Sequence, residues 1–118
     1  MASRQVASSA CVRRVELAAV RNWTTLGELD GEAGWDDATW RDAMAPYFEE
    51  HDHLGAGPEA RGSALFQVDE QPGAWRVRQV LDDPPAFHEW AIEFHVDLAR
   101  SDETGAAVVT PVAVIRAG

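Results

Sequence analysis

The chain has 118 residues, ten basic and twenty acidic, for a formal net charge of −10. That length suits one domain with its own core, and the acid excess disfavours direct nucleic-acid binding, which needs clustered Lys and Arg. The lone cysteine, Cys11, excludes an intrachain disulfide and a thiolate zinc cluster. No apolar run approaches the roughly 20 residues of a membrane-spanning helix, and no secretory h-region stands at the start. A cytoplasmic location without membrane contact is the expectation. All ten basic residues are Arg and Asn occurs once, a usage that fits a GC-rich bacterial genome.

Residues 1–11 are small and polar and are expected to be a disordered or non-native start, leaving a single domain over 12–118. From Val12, the positions Val12, Val15 and Ala19 share a helical face, with Arg13, Arg14, Glu16 and Arg21 on the other. Asn22 caps a short helix over Trp23–Leu29, and Asp30–Gly34 reads as a turn. Asp36 then caps a third helix. Trp35 and Trp40 stand at the hydrophobic-staple spacing, and Trp40, Met44, Tyr47 and Phe48 form its apolar face. Pro46 predicts a kink or two short helices, ending near His53.

Beyond the Gly55–Gly62 loop the period changes to that of strands. Leu65–Val68, Trp75–Leu81, Trp90–Leu98 and Ala107–Ile115 alternate or are β-rich, with turns at 71–73, 82–85 and 101–105. Pro111 marks an edge or a bulge in the last strand. Pairing positions that sum to 171 sets Val77 opposite Phe94, Leu81 opposite Trp90, Arg78 opposite Glu93 and Arg76 opposite His95. The order predicts an α+β fold: N-terminal helices packed on a curved antiparallel sheet of about four strands.

Candidate chemistry is sparse. Arg76, Arg78, Glu93, His95 and Asp97 share one strand face and are the candidate pocket. The competing reading is a solvent-facing sheet with ordinary cross-strand ion pairs. His51 and His53 are two apart, which separates them on a helix and denies them a shared metal. His88 stands alone in a loop. Arg13, Arg14 and Arg21 near Trp23 offer at most a small basic groove. There is no phosphate-binding Gly-rich loop, no GxSxG elbow, no HExxH and no CxxC. No catalytic residue, metal or cofactor is assigned.

Several stretches carry a resemblance: Arg13–Ala19, Leu26–Glu32, Pro46–Asp52, Gly55–Gly62, Trp75–Pro84, His88–Ile92, Val96–Leu98 and Ser101–Glu103. In their order and spacing they resemble the C-terminal domain of unknown function appended to actinobacterial DEAD/DEAH-box helicases. The nucleotide-binding motor of those proteins has no counterpart here, so the resemblance implies no ATPase. The order of elements also resembles the cone-shaped SnoaL-like (nuclear-transport-factor-like) fold, which serves enzymes, ligand binders and dimerisation modules alike. The leading expectation is therefore a non-catalytic accessory or protein-interaction module, a homodimer or the binder of a protein partner. The alternative is a small-molecule binder or acid–base enzyme with a pocket between helices and sheet.

Overall fold

The computed structural model describes residues 3–116. Three helices come first: α1 (Arg4–Ala19), α2 (Trp23–Asp30) and α3 (Asp37–Glu50). Short 3-10 turns at Gly31–Ala33, Pro58–Arg61 and Ser63–Leu65 connect them onward. Then follow β1 (Phe66–Gln71), β2 (Ala74–Val80), β3 (Trp90–Asp97), α4 (Leu98–Thr104) and β4 (Val109–Arg116). The strands form one antiparallel sheet in the order β1-β2-β3-β4, so the fold is α+β as the pattern predicts.

The expected start is corrected. Residues 4–11 form the first turns of α1, and residues 1–2 lie outside the described residues. Ser3 caps this helix by accepting the Val6 amide, and the small side chains of Ala7 and Cys11 are buried in the core. Their polar neighbours hid the apolar stripe from a reading by periodicity.

Other local signals act as their chemistry dictates. Asn22 Oδ1 accepts the Thr25 amide at 3.2 Å, and Asp36 Oδ1 accepts the Thr39 amide at 2.9 Å. The Trp35 and Trp40 rings meet edge to face with centroids 4.9 Å apart. Pro46 does not divide α3, which runs unbroken to Glu50, short of the expected end near His53. Pro46 is exposed on that helix.

A second correction concerns residues 101–105, read as a turn. They belong to the short helix α4 and its cap. Asp97 ends β3 and accepts the Arg100 amide, and Gly105 closes the helix at a φ of +75°. Buried Ser101 locks the connection, donating to the Asp97 carbonyl at 2.6 Å and accepting the Val108 amide at 2.9 Å.

The β2–β3 register has Val77 opposite Phe94, Arg78 opposite Glu93 and Arg76 opposite His95, as the sum of 171 requires. Beyond the last paired rung, the Leu81 amide donates to the Trp90 carbonyl at 2.8 Å. Pro111 lies on an edge strand and beside an irregularity. Glu93 pairs with Ala113 while Phe94 pairs with Pro111, which leaves Val112 as the extra residue, half in solvent.

The core lies between the helices and one sheet face. Ala7, Cys11, Val15 and Ala18 of α1, Leu26 of α2 and Trp40, Met44 and Tyr47 of α3 pack there. They meet Val77, Ile92, Phe94, Val96 and Val109 of the sheet. Burying such side chains is the dominant favourable term in folding.

Candidate functional site

Alternation along the strands sends the other set of side chains to the opposite face. That outer face is covered at one end only, where Leu65 packs on Val80, Ala91 and Ile115. Away from that end stand the five sequence-selected residues. Arg76 and His95 are exposed, and Arg78, Glu93 and Asp97 are half-buried.

The structure brings three of the five together. Arg76, Arg78 and Glu93 line a shallow depression of about 320 Å³ with Gln67 and Asp69 of β1. His95 and Asp97 do not line it. In register, Asp69 lies opposite Arg76, Gln67 opposite Arg78, and Glu93 opposite Arg78 from the other side. Among the described residues no hydrogen bond or ion pair ties down the side chains of Arg76, Arg78, Glu93 or His95. Asp97 is engaged differently, as the cap of α4. The depression is open and lies on the face away from the helices, whereas the space between helices and sheet is filled by the core side chains.

Charged groups that sequence reasoning placed on the surface turn out to be structural. Arg14, which the helical spacing puts on the polar side of α1, is only 8% exposed. Its Nη2 donates to Asp30 Oδ1 at 2.8 Å and its Nε to both Asp30 oxygens at 3.1–3.2 Å. The remaining guanidinium nitrogen donates to the Ala10 carbonyl, and Trp40 Nε1 donates to Asp30 Oδ2 at 3.1 Å. One buried carboxylate thus ties α1, α2 and α3 together. Arg21 covers the Phe48 ring at 3.9 Å and donates to the Asp52 carbonyl. Two of the three arginines near Trp23 are therefore committed to intramolecular contacts.

Asp83, in the turn that breaks the strand pattern after β2, is only 3% exposed. Its carboxylate accepts the Phe87 amide at 2.9 Å and the His88 amide at 2.8 Å. Burial opposes its ionisation, but these donors and the nearby His51 prevail and hold the carboxyl below the usual range. His51, at the C-terminal end of α3, packs beside Tyr47 with its Nε2 3.9 Å from Asp83. The Tyr47 hydroxyl donates to the His53 carbonyl at 2.6 Å. Burial, with the charges of Asp83 and Asp82, raises its pKa.

Burial pushes the Cys11 thiol up to about 12, so it is no nucleophile at neutral pH. Among the described residues, no three His, Cys, Asp or Glu side chains are grouped to hold a metal ion. No described helix is long and apolar enough to cross a membrane.

Fold and face together define a class: a small α+β domain whose antiparallel sheet is packed on one side and largely open on the other. The chain belongs to the family described as domain of unknown function DUF3516, whose profile matches residues 2–114. No curated protein and no solved structure matches it.

Proposed function

We propose that this chain is a non-catalytic protein-interaction module that pairs through the outer face of its sheet, with a second copy as partner. The observation that carries the proposal is the state of Arg76, Arg78 and Glu93. They stand together on an uncovered face with no intramolecular ion pair to occupy them. A face carrying both signs of charge suits an isologous contact, because a two-fold axis sets each arginine of one copy against acids of the other. Asp69 and Glu93 supply those acids.

The resemblance to the tail of actinobacterial DEAD/DEAH-box helicases extends this reading. In that setting the domain is an accessory that carries an association surface and leaves ATP turnover to a motor elsewhere. The SnoaL-like resemblance agrees, since dimerisation through the sheet is one use of that architecture. A cytoplasmic site of action fits the helicase resemblance.

A second reading rests on the same depression. Two arginines beside Gln67 would accept a small anionic ligand, although Asp69 and Glu93 oppose it with like charge. Light scattering on the isolated chain at micromolar concentration separates the two. A dimer supports the module. A strict monomer whose arginine resonances shift on addition of a small carboxylate supports the ligand site instead.

A further inference from the structure

The charges on the outer face are sorted by strand. Of the two central strands, β2 presents Arg76 and Arg78 there, and β3 presents Glu93 and His95. Arg78 stands opposite Glu93 and Arg76 opposite His95, yet among the described residues none of these four side chains has a hydrogen bond or ion pair. The edge strands add Gln67 and Asp69 from β1, and Thr110 and Ala113 from β4.

On the reading that this face pairs two copies, the sorting restricts how the second copy can sit. Aligned sheets packed face to face keep their strands within about 30° of one another. A two-fold axis along β2 would stack arginine on arginine, and one along β3 would stack Glu93 on Glu93. An axis across the strands would lay each strand on its own copy, with the same conflict. An axis between β1 and β2 would match Asp69 to Arg76, but Asp69 already accepts from Gln71 Nε2 at 3.0 Å, and β3 and β4 would overhang the edge. An axis along the strands between β2 and β3 lies at the middle of the four-stranded order, and it lays β2 on β3 and β1 on β4. Arg78 of each copy then meets Glu93 of the other. The same rotation sets Arg76 of each copy against His95 of the other, because the two pairs are successive outer-facing rungs of one ladder.

We propose that two copies pack β2 on β3 about this axis, joined by reciprocal Arg78–Glu93 pairs, and that His95 makes the pairing weaken as pH falls. A neutral imidazole sits beside an arginine without charge repulsion, whereas an imidazolium repels it. Within its own copy His95 faces Arg76 from β2, Glu93 and Asp97 along β3, and the uncharged Thr110 from β4. Pairing adds the other copy's Arg76. It also draws Glu93 toward the other copy's Arg78, while Asp97 stays bound to the Arg100 amide. Proton uptake by His95 is thus opposed more in the dimer than in the monomer, and by linkage acid favours the monomer.

Sedimentation velocity at matched ionic strength tests this at about pH 8 and about pH 5.5, on either side of the ordinary histidine range. The wild-type dimer should be about tenfold weaker at the lower pH, and His95→Gln should dimerise equally at both. Arg78→Glu and Glu93→Arg should each be monomeric alone, since each sets like charges together. Mixed, they should form a heterodimer, and the double variant Arg78→Glu/Glu93→Arg should dimerise by itself. Unchanged thermal melts verify that these outer-face substitutions spare the fold. A wild type that stays monomeric at about pH 8 defeats the pairing itself. A wild-type dimer that neither the mixture nor the double variant restores overturns the axis. A dimer without a pH response, or one whose response survives His95→Gln, overturns the role of His95.

Discussion

Among the described residues, one arginine–carboxylate pair is buried. Arg14 and Asp30 are removed from water together, with Trp40 and the Ala10 carbonyl completing their hydrogen bonds. A buried pair of this kind gains little over apolar replacements, but breaking it strands a charge. Asp30→Ala is therefore expected to cost about 3–5 kcal/mol in urea unfolding. The double variant Arg14→Met/Asp30→Leu should recover most of that loss. Asp83 makes a different prediction, in pH. Its folded pKa is lowered from the ordinary 3.8, so its contribution is full above that value and is lost as pH falls through the folded one. The stability gap between wild type and Asp83→Asn, followed by denaturation across acidic pH, should close in that direction. Neither role is readable from sequence, because Arg14 looks like one of several surface arginines until Asp30 arrives from sixteen residues away.

At the scale of elements, local chemistry was legible wherever both partners are near in the chain. The Asp36 cap, the Trp35–Trp40 contact and the β2–β3 register all depend on neighbours or on simple alternation. The missed elements depend on distant packing. The start of α1 is polar except where Ala7 and Cys11 enter the core. Helix α4 is framed by Asp97 and Gly105, which also read as ordinary turn residues. Helices α2 and α3 approach closely at Gly27, whose added Cβ would lie 2.6 Å from the Asp37 backbone nitrogen. Backbone cannot yield as a flexible side chain can. Gly27→Ala should cost about 1–3 kcal/mol by overpacking, despite the gain in helix propensity, and thermal unfolding reads the sign.

For the whole molecule, the candidate site was half legible. Alternation placed Arg76, Arg78, Glu93, His95 and Asp97 on one face, and three of them share a depression. Which face the helices would cover followed from the apolar residues opposite. What alternation left open was the division of labour among the five, since Asp97 turns from the face to cap α4 and His95 stands apart. The acid excess gains meaning from this geometry. The outer face mixes both signs, which suits self-association.

Pairing of two copies through the outer face is read by sedimentation velocity from micromolar concentration upward, with wild type beside Arg78→Glu. The wild type should form a concentration-dependent dimer, and Arg78→Glu should be a monomer with an unchanged thermal melt. A wild type that stays monomeric throughout, or a dimer indifferent to Arg78→Glu, would rule such pairing out.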